Sequence, residues 1–328
     1  RDRWESGERI APISVDMALT RACGAMCTFC YAMVQESQER SSVKTPVALK
    51  LVDDFERLGI RSVSLVSDGE STLSPAYVPF IKHAYDAGID VGNGTNGWEW
   101  EPEKIEQVLP YLTWVRFTVA AGRPNTYADM MYKGPEQTQV FDRAMANIKY
   151  AVDLKRRKSL PVTLGIQMVL MPGMGEEILP FAQLGIDLGV DYAVIKHCSD
   201  DEQGSLAIDY SRYDEMYSLL EKAEAMSTDN TKIIVKWDKI RDGDKPPYKR
   251  YYGPQFLLQI SGSGLVAPSG MFFNARYSKF HIGNFTEESF YGLCKSEHYW
   301  RVMEYLASPS FDAQTMMAVS YTHLRAHE

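Results

Sequence analysis

The sequence has no stretch approaching the roughly 18 apolar residues of a membrane span, and no basic-then-apolar leader opens it, so no membrane association is expected. It has no basic surplus either. With 35 Lys and Arg against 43 Asp and Glu, the formal charge of −8 argues against general nucleic-acid binding, which needs a basic face. Cysteine is scarce: five in 328 residues cannot make a disulfide framework. Three of them fall within eight residues, which points to a reducing, cytoplasmic setting and a metal site. No internal repeat of 20–50 residues stands out. The longest basic run, 155–158, reads as a solvated loop, and the sequons at Asn93 and Asn284 read as chance matches.

What is present is an ordinary globular composition, 45% hydrophobic and 24% charged, with a pattern that alternates from residue 13 to about 226. Short β-branched runs predict strands at 13–20, 62–67, 89–91, 114–120, 162–170 and 192–197. Segments of 3.6-residue period predict helices at 46–58, 77–87, 102–112, 140–155, 177–188 and 212–226. Six βα units in a row fit an incomplete barrel or a doubly wound sheet, and the pattern alone does not choose. In both, ligands gather at the C-terminal ends of the strands. After Thr228 the alternation stops. The segment 242–255 reads as a linker or lid, 256–266 as strand-like, and 282–306 as holding one amphipathic helix.

Cys23, Cys27 and Cys30 follow directly on the first strand in the spacing C-x3-C-x2-C. Three thiolates so close can wrap three corners of a cubane, since the loop need only curl once and soft sulfur suits iron–sulfur chemistry. A fourth iron is then left open for a ligand. A structural zinc would be closed by four ligands, and His83, His197, Cys198 or Cys294 would have to supply the fourth from afar.

The triad, Phe29 between its last two cysteines, and its place after the first strand resemble the radical S-adenosylmethionine (radical SAM) superfamily. The resemblance implies a partial (β/α)6 TIM-like barrel with a small C-terminal α+β extension. It implies a [4Fe–4S] cluster on Cys23, Cys27 and Cys30, with S-adenosyl-L-methionine bound at the open iron. Reductive cleavage to a 5′-deoxyadenosyl radical would follow, then hydrogen abstraction from a peptide, protein or small polar molecule, with an electron donor such as ferredoxin or flavodoxin as partner. Asp68, Gly69, Glu70 and Ser71 are similar to the family's Gly-Gly-Glu-Pro motif at the second strand's end, keeping Gly69 and Glu70. Thr95, Asn96 and Gly97 resemble a Thr-Asn-Gly sequence found after the third strand. The stretch 92–97 also fits G-x-G-x-x-G, but it is not in the first βα element and no acidic residue follows at the right distance, so a nicotinamide site is rejected. The segment 115–119 looks like the family's Val-Arg-Ile-Ser-Val, with Thr118 in the hydroxyl position and Ala120 where Asp is frequent. Gln167 and Ile195 are candidate cofactor contacts on strands five and six.

Lys196, His197 and Cys198 close the sixth strand as candidate catalytic residues, His as an acid or base and Cys as a hydrogen-atom donor. The acidic run 200–202 reads as a solvated loop, and Arg123 as a surface residue or a carboxylate contact. Residues 264–270 and 281–290 resemble the SPASM or Twitch extension. There Ser269 replaces a cysteine, and a hydroxyl is a poor iron ligand, so no auxiliary cluster is expected. His281, Phe272, Phe273, Tyr277 and Phe280 read as packing. The expected organisation is a radical SAM core at 10–228, a SPASM/Twitch-like extension at 229–317 and a non-native tail at 318–328, whose sequence resembles a translated sequencing adapter. The competing reading is a non-enzymatic iron–sulfur or zinc protein for electron transfer or scaffolding. Four clustered ligands would favour it, and only three are present.

Overall fold

The computed structural model describes residues 3, 6–30, 32, 41–132, 137–201, 203–243 and 249–313. The expected tail at 318–328 and Glu202 lie outside them, as do residues 244–248 of the expected linker. The chain divides into two compact units: Arg1–Ala22, Gln35–Gly92 and Pro246–Glu328 in the first, Cys23–Val34 and Asn93–Lys245 in the second.

In the first unit β1 (Ser14–Met17) is flanked by two parallel neighbours, β2 (Ser62–Leu65) and β8 (Leu257–Ile260). Its core residues Val15 and Met17 are fully buried, as expected for a strand paired on both edges. Helix α1 (Thr45–Leu58) begins with Pro46 in its first turn, where the missing N–H costs nothing. It buries Ala48, Leu51, Val52 and Phe55 at helical spacing and stops at Gly59, whose φ of 77° suits glycine. Helix α2 spans Tyr77–Asp86. The strand-like stretch 256–266 is two strands. A turn at 261–264 with Gly264 at φ +91° sends β9 (Leu265–Ala267) back antiparallel to β8, and β10 (Gly283–Asn284) pairs antiparallel with β9. The single helix expected at 282–306 is also two, α9 (Phe290–Lys295) and α10 (Glu297–Ala307). Ser296 ends the first and caps the second by accepting from the N–H of Tyr299. Phe290 packs edge-on against Phe55 of α1 at 5.2 Å.

β3 (Asp90–Thr95) carries the chain from the first unit into the second. There β4 (Trp114–Thr118), β5 (Thr163–Leu170), β6 (Tyr192–His197) and β7 (Lys232–Val235) pair in order, all parallel. Helices α3 (Pro102–Val108), α4 (Pro124–Met131), α5 (Gln137–Lys158), α6 (Gly175–Leu188) and α7 (Tyr217–Ala225) alternate with them. The basic run 155–158 is not a loop but the last turn of α5, where cations complement the helix dipole. The alternation also continues past Thr228: β7 extends the parallel series and α8 (Trp237–Asp242) follows it. Helix α6 lies tight on β5 and β6, because a Cβ at Gly185 would stand 2.8 Å from that of Ala193. Among the described residues, no pairing closes the strands into a barrel. The fold is α/β, a partial barrel. No helix among the described residues is long and apolar enough to cross a membrane.

Candidate functional site

Three pieces of chain carry the expected site residues. The first is the cysteine loop of the second unit. Cys23, Cys27 and Cys30 are half-buried and none is in a disulfide. The loop hangs on the end of α4 by its backbone, with Met26 N donating to Met131 O and Thr28 N to Met130 O, both at 2.9 Å. A tight turn brings Cys30 N to Cys27 O at 3.1 Å. The loop is thus held in place through main-chain groups. Gly24 lies under the Glu99 carboxylate, where a Cβ would come within 2.3 Å of Oε1. Asn96 holds that carboxylate in place, donating from Nδ2 to Glu99 Oε2 at 2.6 Å. Asn96 is therefore engaged in shaping the loop, a role its motif does not reveal. Thr95 Oγ1 accepts from the N–H of Gly97. Among the described residues, no three His, Cys, Asp or Glu side chains converge on one ion. A cubane asks for something else, since each thiolate takes its own iron and the sulfurs stand apart around the cluster. Three thiols on one curled loop supply the soft sulfur donors that such a cluster takes.

The second piece lies in the first unit, after β2. Asp68 is almost fully buried. Its carboxylate pairs with Arg21 Nε at 3.2 Å and accepts from Ser261 Oγ at 2.6 Å and Gly262 N at 2.9 Å. A Cβ at Gly69 would stand 1.9 Å from the carbonyl oxygen of Thr20, so no side chain is possible there. Glu70 N donates to Ala22 O at 2.9 Å, and the buried Glu70 carboxylate accepts from Thr72 Oγ1 at 2.7 Å. Ser71 Oγ accepts from the N–H of Leu19. Both departures from the family's motif thus have structural work: Asp68 and Ser71 tie the β2 loop to the chain that leaves β1.

The third piece is the end of β4 to β6 in the second unit. Register puts Thr118 beside Gln167, and Gln167 beside Val194, on the sheet face turned away from α6. Lys196 shares that face; Ile195 and His197 point to the other, with Ile195 fully buried. His197 packs edge-on against Tyr210 and Tyr213 at 5.5 and 5.9 Å, and its Nδ1 meets the carbonyl of Cys198. Burial above all pushes His197 down to about 4, so its imidazole is neutral at physiological pH. Burial pushes the Cys198 thiol up to about 12, which keeps it an S–H. Its Sγ lies 3.9 Å from the carbonyl oxygen of Phe29, placing it against the cysteine loop. Lys196, half-buried, is lowered to about 7 by burial first and then by Lys239 and Arg116.

One expectation is corrected here. The acidic run is not solvated: Asp200 and Asp201 are 1% and 2% exposed. They are buried because they satisfy backbone donors, Asp200 accepting from Leu206 N and Ile208 N, Asp201 from Gln203 N and Ser205 N. Arg123 is exposed, the surface position expected of it, and its guanidinium pairs with Glu176 and Glu177 of α6. The polar cavity lined by Lys155, Arg156, Leu164, Gly189 and Asp191 lies at the opposite, N-terminal ends of β5 and β6. It contains none of the candidate residues.

The chain is 22% identical over 304 residues to the AdoMet-dependent heme synthase of Methanosarcina barkeri, covering 89% of this chain and 84% of the relative. In fold it is similar to Streptococcus suis SuiB, solved bound to the precursor peptide SuiA, at a TM-score of 0.69 and 14% identity, covering 92% of this chain and 69% of SuiB. It is also similar to anSMEcpe with bound AdoMet, at a TM-score of 0.65 and 12% identity, covering 90% of this chain and 84% of the other. Residues 17–184, a span that includes the cysteine loop and the Asp68–Ser71 loop and runs through β5 into α6, match the Radical SAM superfamily; the chain belongs to that family and is an enzyme of the radical SAM class.

Proposed function

We propose that Cys23, Cys27 and Cys30 hold a [4Fe–4S] cluster at which S-adenosylmethionine is bound and cleaved. The observation that carries this is the cysteine loop itself: three half-buried thiols on a segment anchored by its backbone. When reduced by a donor such as ferredoxin or flavodoxin, the bound cluster supplies the electron that cleaves S-adenosylmethionine to methionine and a 5′-deoxyadenosyl radical, which then takes a hydrogen atom from substrate.

The chain's own residues do the rest. Glu70, buried and already accepting from Thr72, offers a carboxylate for the cationic amino group of the methionine moiety. Gly69 allows the backbone its close approach to Thr20, and Asn96 with Glu99 fixes the loop around Gly24. Thr118 and Gln167 stand side by side on the face expected to meet the nucleoside, and Thr95 and Phe29 complete the set. Cys198 is held as a neutral thiol beside Phe29, the state needed to donate a hydrogen atom rather than act as a nucleophile. The neutral His197 and the weakly basic Lys196 supply proton-handling groups at the same strand end. Residues 10–228 form the catalytic core in this reading, and 229–317 a SPASM/Twitch-like extension with Ser269 in place of a ligand. The substrate is a peptide, as SuiB's bound precursor suggests, or a small polar molecule.

Anaerobic reconstitution with iron and sulfide, then reduction with S-adenosylmethionine present, tests the proposal. The expected results are four irons per chain, a cluster spectrum that shifts on S-adenosylmethionine addition, and 5′-deoxyadenosine. A colourless protein that retains zinc, or a cluster whose fourth iron is held by a side chain, would overturn it.

A further inference from the structure

The sheet face that carries Thr118 and Gln167 also carries a group of cations that have no counter-charge among the described residues. Arg116 lies two residues before Thr118 on β4 and is half-buried. Lys196 is on β6, in register with Val169. Lys236 follows β7, with its N–H bonded to the carbonyl of Ile195, and Lys239 is one turn into α8, which packs on β6. None of the four makes an ion pair or a side-chain hydrogen bond among the described residues, and no carboxylate is among the charges acting on Lys196 or Lys239. Arg116 lies over the Trp114 ring, 5.5 Å from its centroid.

An uncompensated set of this kind is costly in a partly buried place, because each cation loses water and repels the others. Elsewhere the same unit pairs its partly buried cations: Lys155 binds both oxygens of Asp191 at 2.6 Å. Gln167 lies between Arg116's row and Lys196's row and is 7% exposed. The cations are also spread out. Arg116 is level with Gly165 and Lys196 with Val169, four residues further along β5, or about 13 Å at strand spacing. A single compact anion would need donors converging on one point; donors anchored this far apart suit several separate carboxylates.

We propose that Arg116, Lys196 and Lys239 form a seat for the carboxylate groups of the substrate. This names the substrate class for the radical SAM reading above and rests on that reading only in taking the bound anion to be the substrate. Carboxylates of that kind come from a small polycarboxylic acid or from the acidic side chains of a peptide.

Calorimetric titration of the reconstituted protein with citrate and, separately, with pentaglutamate tests the seat and separates the two sources. The expected result is binding of one probe that weakens with salt and falls by about tenfold or more in Arg116→Gln, Lys196→Gln and Lys239→Gln, with Lys239→Arg retaining most of it. Lys239 sits at a half-exposed helix position that accepts a polar residue, so its variants fold even if those at Arg116 do not. Preference for citrate assigns a small polycarboxylate; preference for pentaglutamate assigns an acidic peptide. Failure of wild-type protein to bind either probe, or equal binding by the Lys239→Gln variant, overturns the seat. Formation of 5′-deoxyadenosine by wild-type protein is scored separately. Its absence defeats the radical SAM reading while leaving the anion titration standing.

Discussion

Replacing Lys196 by methionine should make the protein more stable, although it removes a long side chain from the end of a central strand. Methionine keeps the apolar stem that a lysine lays along its neighbours and discards only the ammonium. That ammonium is lowered from 10.5 to about 7 by burial and by Lys239, Arg116 and Lys236. The unfolded chain therefore holds the proton up to about pH 10.5, whereas the folded chain releases it near pH 7. Between these limits the unfolded state binds more protons, so wild-type stability rises with pH across this window. The destabilisation is complete below pH 7 and absent above 10.5. The whole shift corresponds to roughly 4–5 kcal/mol, and the solvent-exposed part of the side chain reduces this to about 1–3 kcal/mol. Urea unfolding of both proteins under anaerobic conditions, at a series of pH values from about 6 to 9, reads it directly. The Lys196→Met variant should lead at the acid end, with the gap narrowing as pH rises. A variant less stable than wild type near pH 6, or a gap that ignores pH, would refute the reasoning and mean that the ammonium is paired.

Cys27→Ala should lower bound iron and abolish 5′-deoxyadenosine formation, and undiminished product would remove the triad from the mechanism. Gly69→Ala forces a methyl to within 1.9 Å of the Thr20 carbonyl, so a loss of about 2–4 kcal/mol is expected in thermal unfolding, with iron retention falling too. Tyr213→Phe removes a hydroxyl that donates to Leu170 O at 2.6 Å and accepts from Cys198 N at 3.1 Å, at an expected cost of about 1–2 kcal/mol in urea titration. Asp68→Ala leaves Arg21 and the Ser261–Gly262 turn without their common acceptor and should cost about 3 kcal/mol, visible as a lowered melting temperature.

Much of this was legible in the chain itself. The strands from β1 to β6 declare themselves because each buried run is bounded by turn residues, and β5, buried along nearly its whole length, stands out most. The cysteine loop is legible because its chemistry needs three soft ligands in a short span. β7 is not, since its four residues alternate exposed and buried between flanking lysines and carry too little apolar signal. The pairing of β8 with β1 is equally silent, because nothing local in residues 257–260 records a partner more than 240 positions away. The burial of Asp200 and Asp201 was hidden for another reason. A carboxylate that feeds loop N–H groups looks, in one dimension, like one that faces water. The unpaired cations were hidden too, since Arg116, Lys196 and Lys239 are brought together only by strand register and by the placement of α8.

The position of β1 between β2 and β8 has a consequence for how the chain comes off the ribosome. The strand covering the second edge of β1 is made some 240 residues after it, and Asp68 waits 193 residues for Ser261. Until then the nascent protein holds an open parallel edge next to the segment that leads into Cys23. Contacts this distant in sequence form slowly, and an open edge invites mispairing. Completion of the sheet around β1 therefore waits on the β8–β9 hairpin. A variant that weakens β8 should be recognised by poor yield and aggregation during synthesis before any defect in its chemistry is seen.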